Sequence, residues 1–190
     1  MESHHLWRAV HSALPNDRRR GSAAMSVKIV TDRLQESLKI IRRLTDKQVY
    51  VGIPDEKAGR RDGPASNAVI GYVHEFGKPD MNIPARPFLI PGIKSVEDKI
   101  AKRMGAGAKK ALAGDKEAVT KVLTSVGITA ENAVKKVINS GEFAPLSERT
   151  LYQRKNRKKA PRTSEKPLID TGQLRKSITH VIGSKGRGER

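Results

Sequence analysis

His74 and Glu75 stand side by side. This pair opens the His-Glu-x-x-His pattern, in which two histidines one helical turn apart hold zinc and the glutamate serves as base. Position 78 is Lys, so the second histidine is missing; His4 and His5 sit in the N-terminal tail, and His11 and His180 have no clustered partners. His74 therefore reads as a helix residue packing near Phe76. Gly71 to Lys78 (GYVHEFGK) has the outline of a phosphate-binding loop. Its spacing is one residue too long, and Pro79 replaces the Ser or Thr that would meet magnesium. No G-x-S-x-G nucleophile elbow occurs. The Asp and Glu residues are scattered, mostly beside Lys or Arg, and nothing pairs two of them for acid–base work. No catalytic residue, cofactor or metal site is expected, and the chain does not read as an enzyme.

One cluster remains. Arg154, Lys155, Arg157, Lys158, Lys159 and Arg162 fall within nine residues. Such a segment could neutralise several phosphates, with affinity falling steeply in salt, and the contact would carry no sequence information. Tyr152 is the only aromatic nearby, which gives little support for base stacking. The alternative is a solvated loop that orders against acidic neighbours in an assembly.

Composition narrows the field. Of 190 residues, 36% are hydrophobic and 4% aromatic, below the roughly half-apolar norm of globular domains. The expected core is thin, built from Val, Ile, Leu and Ala, so packing between subunits would add burial. Lys and Arg number 38 against 20 Asp and Glu, a formal charge of +18. Self-repulsion follows, as does attraction to a polyanion or to acidic protein surfaces. The chain has no cysteine, which excludes disulfide and thiolate chemistry. No apolar run approaches the roughly 20 residues of a membrane-spanning helix, and no secretory signal is supported. No membrane partner is expected; the expected location is the cytoplasm of the producing cell or a particle assembled there.

The elements follow from periodicity and punctuation. Residues 1–24 read as an N-terminal extension, either a disordered tail or early start, or an arm docking through Leu6, Trp7, Val10 and Leu14 on one helical face. A single domain is expected over 25–183. Residues 31–45 suit an amphipathic helix capped by Thr31 or Asp32, with Leu34, Leu38, Ile41 and Leu44 in register. Residues 48–53 suit a strand closed by Pro54, followed by a polar loop over 55–64. A second helix, capped by Ser66 or Asn67, should end at Gly77. Four prolines in 78–93 predict a stiff extended segment without regular helix. Helices are expected over 94–113 and 115–139, the latter carrying Gly127 as a bend or close contact. Residues 140–167 read as a mobile basic loop. Asp170 and Gln173 have capping-box spacing, with a short helix over 171–176 and a strand over 177–182 to follow. The tail, 184–190, should be disordered. The fold class is α+β: a small antiparallel or mixed sheet of short strands packed with about four helices, with the basic loop preceding a C-terminal helix–strand unit.

Three segments occur in order: Val51-Gly52-Ile53-Pro54; Ala68 to Gly77 followed by Ile83-Pro84-Ala85-Arg86-Pro87-Phe88-Leu89; and Pro167 to Ile178. Together, across roughly residues 27–183, they resemble phage tail-completion and neck proteins of the HK97 gene-product-10-like family, related to the virion morphogenesis proteins of Mu-like phages. The resemblance implies a virion structural protein that completes the tail. It would form a homo-oligomeric ring, commonly hexameric, at the head–tail junction, after assembly in the host bacterial cytoplasm. Its partners would be head-completion or connector proteins and tail terminator or tail tube proteins, with non-specific contact to packaged DNA through the basic loop. The family offers no catalytic residues. Subunit-interface candidates are Phe76, Arg86, Pro87, Phe88, Leu89, Thr171 and Arg175. Phe88 and Leu89 either plug this domain's own core or also touch a neighbour, and Arg86 could grip a carboxylate with two prongs. The alternative function is a sequence-independent DNA-binding accessory protein acting through residues 154–162. The long N-terminal extension and the strongly basic loop depart from the family's pattern.

Overall fold

A computed structural model of the chain describes residues 34–60, 64–158 and 160–184. It divides into two compact units, residues 1–39 and 40–190. Of the first, only 34–39 are described, and they are helical. The extension over 1–24, the caps at Thr31 and Asp32, Lys159 and the tail from 185 lie outside the described residues.

The second unit is a mostly helical α+β fold. Its helices, which include the rest of α1 (34–45), pack on a two-stranded antiparallel sheet of β1 (Lys47–Gly52) and β2 (Thr179–Ser184). The register pairs Lys47 with Ser184 and Gly52 with Thr179. Alternation sends Val49, Val51 and Ile182 inward and leaves Tyr50 and its cross-strand neighbour Val181 exposed. Between the strands run α2 (Asp55–Ala58), α3 (Asn67–Phe76), α4 (Leu89–Lys94), α5 (Glu97–Leu112), α6 (Ala118–Ser140), α7 (Glu148–Asn156) and α8 (Gln173–Ser177).

The longest described helix, α6, organises the interior. Its 23 residues span about 35 Å at 1.5 Å per residue. Its N-terminal half supplies Val119, Val122, Leu123 and Val126 to a cluster with Ala111 and Ala118, against which Ile40, Leu44, Val49 and Ile182 pack. Its C-terminal half supplies Val134 and Ile138 to a second cluster with Phe88, Leu168, Leu174 and Ile178. Each large side chain so buried stabilises by roughly 1.5–3 kcal/mol. Gly127 lies between the two sets, and a Cβ there would fall onto the ring of His180. The glycine marks a close approach of α6 to β2.

Several elements depart from the sequence reading. The proline-rich segment is not extended throughout: a 3-10 turn covers Pro79–Met81, and α4 begins at Leu89 although Pro91 lies inside it. Pro91 sits in the first turn, where its missing N–H has no intrahelical acceptor to lose. The helix expected over 94–113 is α5, which starts three residues later at Glu97, after α4 has ended at Lys94. Residues 148–156 of the expected loop are helical. Ser147 accepts the Thr150 N–H at 3.3 Å, and Arg154 and Lys155 stand in the last turn, where positive charge suits the helix dipole. The capping box at Asp170 does not form: α8 begins after Gly172 in the left-handed conformation with no side-chain cap.

Candidate functional site

Helix α3 presents a different feature on each of its sides. Ser66 caps it, accepting the Val69 N–H at 3.2 Å. Gly77 ends it at φ +78°, where a Cβ would lie 2.9 Å from the Ala85 nitrogen, so only glycine suits this turn. The chain then doubles back, with Lys78 and Ile83 bridged and the Arg86 N–H donating to the His74 carbonyl at 2.6 Å.

That return brings the start of α4 over Glu75. The Glu75 carboxylate is 6% exposed. Its Oε2 accepts the N–H groups of Phe88 and Leu89 at 2.8 Å each, and its Oε1 accepts that of Ile90 at 2.9 Å. The glutamate of the His-Glu pair is thus a helix cap supplied from another helix, satisfying three donors that α4 cannot satisfy itself. The electropositive end of α4 also favours the carboxylate.

The arm's other residues divide by burial. Phe88 is 3% exposed and belongs to the core, with Leu89 packed against it. Arg86 is 5% exposed and grips no carboxylate. Instead, its Nε and Nη2 donate to the carbonyls of Ala144 and Pro145, each at 2.7 Å, tying the arm to the segment after α6. Pro87 stays exposed. On the outer side of α3, Val69, Tyr72 and Phe76 are 54%, 67% and 58% exposed. The rings of Tyr72 and Phe76 meet at a tilt of 51° with centroids 4.9 Å apart, and Ile90 of α4 is also exposed.

The opposite side of α3 faces a polar cleft of ≈ 510 Å³ shared with α7 and the turn leading into α8. The basic segment enters it folded on itself. Arg154 donates to the carbonyls of Lys166 at 2.9 Å and Pro167 at 3.1 Å. Arg157 grips both oxygens of Asp170, at 2.9 and 2.7 Å. Partial burial pushes the Asp170 carboxyl up, but the Arg157 hydrogen bond and the charges of Arg157, Arg154 and Arg162 outweigh it and hold the group below the usual carboxylate range. Of the six basic residues, Arg154 and Arg157 thus serve the chain's own structure, whereas Lys155, Lys158 and Arg162 are exposed. Thr171 lines the cleft, and Arg175 is exposed on α8.

His74 also lines this cleft, not the Phe76 side. Burial and the charges of Arg86, Arg154 and Arg60 lower its pKa to about 4, so the ring is neutral near pH 7. Its Nδ1 and the Thr171 hydroxyl are buried without a hydrogen-bond partner. On the far side of α6, His180 Nδ1 meets Glu131 at 2.7 Å, a pair the sequence reading did not anticipate. Among the described residues, no group of three or more His, Asp or Glu is gathered for a metal ion, and no helix is long and apolar enough to cross a membrane.

Comparison with known proteins adds little to this geometry. No family model matches the chain. It is similar to the uncharacterized protein MJ0331 of Methanocaldococcus jannaschii, with 46% identity over 46 residues, 20% of this chain. The chain spans about a third of that protein's length, 34%. No solved structure matches.

Proposed function

We propose that the chain is a structural component of a tailed-phage virion, a tail-completion or neck protein that forms a ring, commonly hexameric, at the head–tail junction. Its work there is assembly, not catalysis. The observation that carries the reading is the outer side of α3. Val69, Tyr72 and Phe76 are exposed at helical spacing, beside Ile90 on the glutamate-capped start of α4. A contiguous apolar surface of this kind marks a protein contact. Val69, Tyr72 and Phe76 lie in the Ala68 to Gly77 segment that carries part of the family resemblance. Glu75 and Arg86 hold that surface rigid from behind, so little conformational entropy is lost on docking. The occupant is a neighbouring subunit of the ring. Acidic head or tail proteins would offset the +18 charge that opposes self-association.

Complementation tests this directly. Heads and tails made without the chain should fail to join, and added protein should restore joining, with rings visible by negative stain. Normal joining in its absence would end the reading. The second reading, sequence-independent DNA binding, is supported by the exposed Lys155, Lys158 and Arg162.

A further inference from the structure

The cleft behind α3 is built like a binding site, and of the subunit-contact candidates only Thr171 lines it. Three arginines, Arg60, Arg154 and Arg157, line it against the single carboxylate of Asp170. The His74 Nδ1 and the Thr171 Oγ1 are buried without partners, and buried polar atoms in native proteins are nearly always satisfied. Both residues belong to the cleft wall. Among the described residues, the side chain of Arg60 makes a single long bond of 3.5 Å, to Asn67 Oδ1. A ligand bringing oxygen acceptors would meet a hydroxyl donor, an imidazole able to turn its N–H toward it, and an excess of positive charge.

We infer that this cleft binds an acidic peptide segment of a partner protein, seating an Asp or Glu carboxylate against Arg60, His74 and Thr171. Its volume of ≈ 510 Å³ falls in the range of roughly 300–1,000 Å³ typical of pockets for molecules larger than a lone ion. Ile70, Leu168 and Leu174 add apolar wall beside the polar groups, which suits the methylenes of a side chain. Duplex DNA is a poor occupant, because the site is concave and Arg154 and Arg157 already hold carbonyls and Asp170. The inference does not depend on the virion reading, since it concerns a different side of α3.

The test uses the full chain and three probes: a terminally blocked tetraglutamate, inorganic phosphate and a short DNA duplex. Tetraglutamate will be drawn to any +18 protein, so the readout must be local. The His74 ring is followed by NMR through a pH titration. It is faced by Arg60, Arg86 and Arg154, with Arg157 and Asp170 across the cleft. A seated carboxylate offsets the arginine charges, so saturation with tetraglutamate should raise the His74 midpoint above its value of about 4. Thr171→Val, which replaces the hydroxyl by a methyl group, and Arg60→Gln should each weaken binding roughly five- to tenfold. Lys176→Gln, at an exposed cation outside the cleft lining, should change it by less than about twofold. An unmoved His74 midpoint, or equal losses in all three variants, overturns the inference. So does a DNA duplex or phosphate that shifts His74 with affinity equal to that of tetraglutamate.

Discussion

Glu75 and Phe88 are thirteen residues apart in the chain, yet the Glu75 Oε2 accepts the Phe88 backbone N–H at 2.8 Å in a buried site. The same oxygen holds Leu89 and its twin holds Ile90. One carboxylate thereby closes the turn at Gly77, starts α4 and seats Phe88 in the core.

Replacing Glu75 should therefore unfold more than a surface contact. Glu75→Ala leaves three donors, one buried and two partly buried, without an acceptor, at a cost of roughly 2–4 kcal/mol. Glu75→Gln should cost less, because the amide oxygen still accepts while its NH2 opposes a donor. Urea unfolding of both variants checks the order; equal losses would mean that the one oxygen the amide retains contributes nothing.

Two helical glycines should respond oppositely to alanine. Nothing lies within 4 Å of a Cβ on exposed Gly105 of α5, so Gly105→Ala should gain up to about 1 kcal/mol from helix propensity. At Gly127 the same gain is opposed by collision with the His180 ring, which also holds Glu131. Overpacking of this kind costs about 1–3 kcal/mol, so Gly127→Ala should be neutral to destabilising. Thermal unfolding separates the two, and a Gly127→Ala protein as stabilised as Gly105→Ala would contradict the close contact.

Acid should weaken the fold through His74 first. Its folded pKa of about 4 lies below the ordinary 6.5, so between these values the unfolded chain binds the extra proton and stability falls as pH falls. The contribution is at most about 3 kcal/mol. Asp170 acts at lower pH: its depressed folded pKa gives stability that is present above its ordinary value and lost as pH falls through the folded one. Unfolding free energies of wild type and His74→Gln between pH 7.5 and 4 should diverge, the variant showing the flatter profile.

The basic segment should split into two classes. Arg157→Ala breaks the paired grip on Asp170, whose partners are partly exposed, and should cost roughly 1 kcal/mol. Changing Lys155, Lys158 and Arg162 to Ser should leave stability within about 0.5 kcal/mol. If the chain binds DNA, that triple change should lower the dependence of binding on salt by up to about three phosphate contacts. Gel shifts across a salt series read this, and an unchanged slope would remove these residues from any DNA interface.

The apolar outer side of α3 should be separable from folding. Tyr72 and Phe76 are 67% and 58% exposed, so Tyr72→Ser with Phe76→Ser should cost under about 1 kcal/mol. The double variant should nevertheless fail to restore head–tail joining. Full complementation by a folded variant would move the contact elsewhere.

Local chemistry alone was enough for much of this chain. The start of α3 at Ser66, its stop at Gly77, the apolar stripe of α6, strands near 48–53 and 177–182, and the α+β class all follow from capping, glycine geometry and periodicity, which act between near neighbours in sequence. Tertiary structure decided the partners of the charged residues. Glu75 caps a helix from a distance, Arg86 holds carbonyls 58 and 59 residues away, and Arg157 takes the Asp170 that sequence spacing had assigned to a capping box. A buried charge must find whatever polar group the packed chain brings to it, because its desolvation is offset only by a bonded partner, and no periodicity along the chain encodes which group that will be.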